Sequence, residues 1–294
     1  MISILVTAHR EPGTIGPALE ALLQSSQKIT TDTFEIVVIC PDDETAQAAQ
    51  VYPSVQVLRD PARGKPAALN LGLEQAQGDI IVMTDGDVQV GPEALAALIA
   101  PFANPSTGAV SGRPVSQSPR SSMLGYWSHL LTDAGAHVER LERERDGRFF
   151  VCSGYLYAIR GGLVTHIPED VLAEDAVISH LIGQQGYRTR YAPSAEVYVR
   201  YPNTYADWLK QKVRSAGGYA QPVIANSPLR MRSFWQEALG GTMRAVRYAR
   251  KGREFLWTLL LLGARLHLWL LIWWNVRVRR QPLEKLWQRV ESTK

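Results

Sequence analysis

Cysteine is scarce in this chain: Cys40 and Cys152 are the only two among 294 residues. They are far apart and no CxxC pair exists, which excludes a disulfide-stapled fold and a thiolate zinc site. Each lies in apolar, strand-like surroundings and reads as a buried, reduced thiol of a cytosolic compartment. His9, His129, His137, His166, His180 and His267 show no HxxxH or HExxH spacing and read as structural or polar. Neither GxGxxG nor GxxxxGK(S/T) occurs, so dinucleotide binding of the usual kind and P-loop hydrolysis both lose ground. No basic segment or cleavage site precedes the apolar Ile2-Ser3-Ile4-Leu5-Val6, and no signal peptide is expected. Charge is sparing too. Charged residues make up 20%, hydrophobic residues 46%, and the formal net charge is +4. That composition is globular, with enough chain for one large core or a core with a satellite module.

What is present is organised around Gly78-Asp79-Ile80-Ile81-Val82-Met83-Thr84-Asp85-Gly86-Asp87. Ile80 to Met83 is a short continuous apolar run, the pattern of a strand covered on both faces. Residues i and i+2 of an extended chain point the same way, so Asp85 and Asp87 can converge on one cation. Gly86 lets the backbone bend and a ligand come close. Such hard oxygen ligands suit Mg²⁺ or Mn²⁺ that also holds a diphosphate. Taken alone, Asp-Gly-Asp reads first as a surface turn, and the company it keeps shifts that reading.

The first half alternates strand and helix patterns. Ile2 to Thr7, Phe34 to Cys40, Val55 to Leu58 and Ile80 to Met83 read as strands, with helices between them, one over Lys65 to Gln75. This order predicts an α/β, doubly wound, mostly parallel sheet, whose ligands bind beyond the carboxyl ends of the strands. Polar groups stand at four such ends: His9-Arg10-Glu11, Asp42-Asp43, Asp60, and Asp85 with Asp87. A second block, residues 108–203, holds a strand near Ala109 to Pro114 and a helical stretch from Met123 to Arg145. It continues with a strand-like run, Phe149 to Arg160, and an acidic pair, Glu174-Asp175, opening an amphipathic helix. The helix dipole alone also favours acids there.

Residues 204–294 change character. Arg230, Arg232, Arg244, Arg247, Arg250, Lys251 and Arg253 are interleaved with Leu229, Met231, Phe234, Trp235, Leu239 and Tyr248, a basic amphipathic pattern. It feeds an apolar stretch, Phe255 to Trp274, interrupted by Arg265 and His267. Twenty helical residues reach roughly 30 Å, enough to cross a hydrocarbon core. A spanning helix, a helix lying in the interface and an oligomer seam all fit this pattern. Membrane contact through residues 229–280 is favoured over nucleic acid, because no stacking platform accompanies the basic patch.

Taken in order, these segments resemble the family 2 inverting glycosyltransferases of GT-A fold, especially the membrane-associated, synthase-like branch. Val6-Thr7-Ala8-His9-Arg10-Glu11 is similar to the family's opening strand and loop, and Val37 to Thr45 to the segment whose aspartate contacts the donor base. Arg63-Gly64-Lys65-Pro66-Ala67-Ala68-Leu69-Asn70 resembles the helix start beside the nucleotide, and Asp85-Gly86-Asp87 matches the DxD motif. Phe150-Val151-Cys152-Ser153-Gly154 resembles the acceptor-side strand of polysaccharide synthases. Ala173-Glu174-Asp175 stands where the family has Thr-Glu-Asp, and Gln211-Lys212-Val213-Arg214-Ser215 resembles Gln-x-x-Arg-Trp, with serine in place of the tryptophan.

The resemblance implies a nucleotide-sugar donor, with UDP favoured, held by Thr7, Ala8, Glu11, Asp42, Gly64, Lys65, Asp85, Gly86, Asp87 and Gln211. It implies Mg²⁺ or Mn²⁺ on Asp85 and Asp87, Asp42 accepting from the N3–H of uracil, Arg214 pairing with the diphosphate, and Asp175, beside Glu174, as general base. The missing tryptophan and the single apolar segment point to transfer of one sugar to a membrane-bound lipid or lipid-linked acceptor at the cytoplasmic face of the cell membrane. A processive polysaccharide synthase, a nucleotidyltransferase and a catalytically inactive membrane scaffold of the same fold are the alternatives. An oligomer is compatible with each.

Overall fold

The computed structural model describes residues 1–29, 33–218, 221–229 and 241–274. Its first half is built from β1 (Ile2–Thr7), α1 (Ile15–Ser26), β2 (Phe34–Cys40), α2 (Asp43–Gln50), β3 (Val55–Arg59), α3 (Lys65–Gln75), β4 (Ile80–Asp85), the short β5 (Gln89–Val90) and α4 (Ala94–Ile99). The remainder comprises β6 (Thr107–Ser116), α5 (Met123–His129), a π-helical segment Leu130–His137, α6 (Val138–Arg145), β7 (Leu156–Arg160), α7 (Glu174–Gln184), β8 (Arg188–Val199), α8 (Tyr205–Gly217), a short turn of helix over Pro222–Ala225, α9 (Thr242–Tyr248) and α10 (Gly252–Trp273). The strands form one eight-stranded sheet in the order β3-β2-β1-β4-β7-β6-β8-β5.

The apolar runs explain this sheet. Every residue of β1 is buried, as a strand covered on both faces requires. Alternate residues serve opposite layers. Ile4 and Val6 pack with Leu19 and Leu22 of α1, while Leu5 packs with Leu69 of α3 and Ile178 of α7. β1 pairs in parallel with β2 and β4, and the register sets Thr7 beside both Ile39 and Asp85. The chain runs outward from β1 to β2 and β3, then returns to β4 on the other side of β1. That reversal is the point where open α/β sheets leave a crevice at their carboxyl ends. β7 runs antiparallel to both β4 and β6.

Two sequence expectations need correcting. Only Leu156–Arg160 of the run from Phe149 to Arg160 is a strand; Phe150 to Gly154 is a buried loop. Its backbone bonds leave the ladder: Cys152 N–H donates to Ser179 Oγ at 3.0 Å and Ser153 N–H to Ser111 Oγ at 3.0 Å. Those hydroxyls do the work of a neighbouring strand. The stretch Met123 to Arg145 is helical throughout, but widens to π geometry over Leu130–His137, a distortion that recurs beside functional sites. Of the basic block, Arg230, Met231, Arg232, Phe234, Trp235 and Leu239 lie outside the described residues.

Against this body lies a helical layer. Tyr126 and Trp127 of α5, Trp208 of α8, Ala245 of α9 and Leu261 of α10 share one apolar cluster.

Candidate active site

The carboxyl ends of β1 and β4 open on a cavity of about 1790 Å³ that continues between the π-helical segment, α8 and α10. Thr7, at the end of β1, donates through Oγ1 to Asp85 Oδ1 at 3.2 Å, a bond that follows directly from the strand register. Gly86 donates its N–H to Thr7 O at 2.9 Å. A Cβ on Gly86 would stand 2.8 Å from Ala8 Cβ and 2.9 Å from a Glu11 carboxylate oxygen. This glycine therefore makes room for the β1 loop. It is flanked by the cavity-lining Asp85 and Asp87 but does not itself line the cavity.

Asp42 departs further from expectation. It caps α2, accepting from Thr45 N–H at 3.0 Å through Oδ1 and from Arg10 N–H at 2.7 Å through Oδ2. Arg10 reaches it from a left-handed conformation (φ 54°). Burial raises the Asp42 pKa, but these hydrogen bonds outweigh it and hold the carboxyl below its ordinary range. Asp42 does not line the cavity, whereas Asp60, at the end of β3, does. Glu11 is buried at the cavity edge, its N–H bonded to Thr45 Oγ1 at 2.8 Å.

Lys65 is the hub. Gly64 precedes it with φ 107°, a conformation that favours glycine, and starts α3 so that Lys65 enters the cavity. Its Nζ lies 2.6 Å from Asp85 Oδ1 and 2.9 Å from Glu174 Oε1, joining the end of β4 to the first residue of α7. Burial pushes Glu174 up, yet the Lys65 ammonium outweighs it and keeps that carboxyl low. The adjacent Asp175 goes the other way. Burial, and then the neighbouring Glu174 charge, raise it to about 6. Asp175 is held by two backbone donors, Gly154 N–H to Oδ2 at 2.9 Å and Ala176 N–H to Oδ1 at 2.9 Å. The 150–154 loop thus aims the carboxylate, and a Cβ on Gly154 would crowd it at 3.1 Å.

From α8, Gln211 and Arg214 line the same cavity. Gln211 Nε2 donates to Tyr155 Oη at 3.1 Å, and its buried Oε1 has no partner among the described residues. Arg214 is half-buried and makes no ion pair among the described residues. Tyr155 was not singled out by the sequence. Burial raises its phenol to about 12, against the Arg214 charge, with Asp87 and Asp85 nearby. The one signal that could have found it is its place immediately after Gly154.

Of the expected site residues, the cavity wall brings together Thr7, Ala8, Glu11, Gly64, Lys65, Asp85, Asp87, Glu174, Asp175, Gln211 and Arg214, and leaves out Asp42 and Gly86. Among the described residues no group of three His, Cys, Asp or Glu side chains forms a complete metal cage. Asp85 ends β4 and Asp87 lies in the turn that follows, not in the extended stretch expected, yet both border the cavity; carboxylates there fit an ion that keeps positions for water and phosphate oxygens, as Mg²⁺ and Mn²⁺ do.

Residues 3–160 match the family model described as glycosyl transferase family 2. A curated relative, poly-beta-1,6-N-acetyl-D-glucosamine synthase of Staphylococcus aureus, is 27% identical over 228 residues, which cover 74% of this chain and 54% of the relative. The probable glycosyltransferase YdaM of Bacillus subtilis is 25% identical, covering 76% and 56%. The chain spans about half the length of the curated relatives it matches. Among solved structures, mannosyltransferase PcManGT from Pyrobaculum calidifontis, in complex with GDP-Man and Mn²⁺, superposes with TM-score 0.62 at 21% identity, covering 97% of this chain and 82% of that one. GalNAc-T7 with UDP, GalNAc and Mn²⁺ gives TM-score 0.53 at 16% identity, covering 83% and 57%. The fold is the GT-A fold that the motifs implied.

Proposed function

The chain belongs to glycosyl transferase family 2, and from that premise we propose that it moves a single sugar from a nucleotide sugar, UDP-linked in the first instance, to a hydroxyl of an amphiphilic acceptor with inversion. The observation that carries this reading is the shared cavity: Asp175 faces the space that Asp85 and Asp87 border. In this reading residues 1–107 hold the donor, 108–203 the acceptor, and 204–294 form the membrane-directed part at the cytoplasmic face.

Asp87, with Asp85 beside it, would hold Mg²⁺ or Mn²⁺, which would supply Lewis-acid neutralisation of the diphosphate leaving group. The chain's own residues do the rest. Lys65 bridges Asp85 and Glu174 and keeps Glu174 ionised, and that negative charge, after burial, raises the proton affinity of Asp175. Asp175 accepts the acceptor's hydroxyl proton as the oxygen bonds to C1. The bond from C1 to the diphosphate oxygen breaks on the opposite face, and the nucleoside diphosphate departs. Arg214 offers a planar donor pair to that diphosphate. A base near 6 is ionised at neutral pH and stronger than an ordinary carboxylate. The acceptor is read as amphiphilic because the same cavity continues to Leu261, Leu262, Leu266 and Trp269 of α10.

A processive polymerase is the second reading, favoured by the name of the Staphylococcus relatives; Ser215 in the tryptophan position weighs against it. Radiolabelled nucleotide sugars with Mn²⁺ and a lipid extract separate the two. One sugar per acceptor with release of nucleoside diphosphate supports the proposal. A ladder of products supports the polymerase, and inorganic diphosphate release would point to nucleotidyl transfer.

A further inference from the structure

We propose that α10 lies in the plane of an anionic bilayer, half-submerged along its length, and does not cross it. At 1.5 Å per residue its 22 residues measure about 33 Å, so length alone permits either arrangement. Its contacts do not.

The inner face is tied to the catalytic body from end to end. Near the start, Arg120 Nε lies 3.5 Å from Glu254 Oε1, Thr258 Oγ1 shares a 2.8 Å hydrogen bond with Tyr126 Oη, and Trp127 Nε1 donates to Trp257 O at 2.7 Å. Near its end, His267 Nδ1 and Tyr205 Oη are 2.8 Å apart, and Leu268 and Ile272 pack on Leu172 and Val213. Leu172 lies two residues before Glu174, and Val213 sits beside Arg214. A helix crossing the bilayer would carry these neighbours into hydrocarbon, at a cost of several kcal/mol for each charge. Arg265, the charge inside the apolar run, is half-buried and borders the cavity.

The outer face is uncovered. Only 28% of the helix's most apolar stretch is buried, which excludes a core helix. Leu256, Leu259, Leu260, Leu270 and Trp273, together with Leu266 at the cavity rim, are 47–63% exposed, more large apolar surface than a soluble helix carries without a partner. Beside the first turn stand the exposed Arg247, Arg250, Lys251 and Arg253. Neither α9 nor α10 exposes a carboxylate, Glu254 being only 4% exposed, so a second copy docked through the same two helices brings no counter-charge to these cations. Anionic headgroups do, and acyl chains suit the leucines. The inference rests on reading this face as membrane-directed, not on the transfer chemistry.

The test uses the full chain with Leu256→Cys, Leu266→Cys or Trp273→Cys, each carrying a nitroxide; Cys40 and Cys152 are buried and stay unlabelled. Depth in phosphatidylcholine–phosphatidylglycerol vesicles is read from collisions with oxygen and a nickel chelate. All three labels are expected about 5–10 Å below the phosphates. A Leu266 label about 15 Å deep with the other two shallow would establish a spanning helix. Labels that stay in water, or couple to a second copy, would equally overturn the proposal. Replacing the four basic residues by serine is expected to weaken vesicle binding about fivefold per residue, and unchanged binding contradicts the charge assignment. Depth is read without turnover, so failure here and failure of the transfer reading are separate results.

Discussion

Asp85 and Asp175 face one cavity but are fixed by different means. Asp85 ends a central strand, and its place beside Thr7 is set by ladder hydrogen bonds between apolar runs buried on both sides. Asp175 lies in the first turn of α7 and takes its aim from a loop glycine 21 residues earlier in the chain. That loop is itself held by two serine hydroxyls, from β6 and α7. The Asp85 side, proposed to take the donor, is therefore an outcome of the sheet, whereas the Asp175 side, proposed to take the acceptor, is a set of separate side-chain bonds that can be altered one at a time. Lys65 joins the two sides. Changes on the donor side should damage folding together with binding, and changes on the acceptor side should damage turnover alone.

The largest expected effect is on the acceptor side. Asp175→Asn is expected to lower transfer by roughly 10²- to 10⁴-fold while nucleoside diphosphate binding, read by calorimetry, stays within a few-fold. Undiminished turnover would remove Asp175 from the chemistry. Gly86→Ala sharpens the contrast. Its Cβ would meet Ala8 Cβ at 2.8 Å and Ile15 Cδ1 at 3.0 Å, so a loss of about 1–3 kcal/mol in urea unfolding is expected, with donor affinity falling in step. Gly154→Ala, whose Cβ would press on Asp175 Oδ2 at 3.1 Å, is expected to lower kcat roughly tenfold, as a small misalignment does, and to leave the unfolding midpoint close to wild type. Equal effects of the two glycine changes on stability would erase the distinction. The smallest effect concerns the helical layer. Tyr126→Phe breaks the buried bond to Thr258 and is expected to cost about 1 kcal/mol of stability, with donor affinity unchanged.

How much of this was legible in the sequence follows the same division. The run Ile80 to Met83 and the helix Lys65 to Gln75 could be read directly, because burial on both faces and a glycine before the first turn are local signals. From them follow the crevice and the nearness of Thr7, Lys65 and Asp85. What stayed hidden was set by distant partners. Asp42 looks like a free strand-end carboxylate until Thr45 and Arg10 take both its oxygens. Phe150 to Gly154 has strand composition, but its hydrogen bonds go to hydroxyls 27 and 42 residues away. Nor does the sequence show that Ala8 and Glu11 crowd the space at Gly86. No pattern in Phe255 to Trp274 says that Arg265 borders the cavity, because only the packing of α10 on α5 and α8 decides that.

The central claim is that Asp175, raised by burial and by Glu174, accepts the acceptor's proton. It is tested most directly by the pH dependence of single-turnover transfer at saturating donor, with Mn²⁺ held constant. A base must be deprotonated to act, so the rate should rise with pH, reach half its plateau near pH 6, and stay level above. The Asp175→Asn variant should lack that limb. An acid limb that stays near pH 6 in the variant, or a wild-type limb down at pH 4, would contradict the assignment.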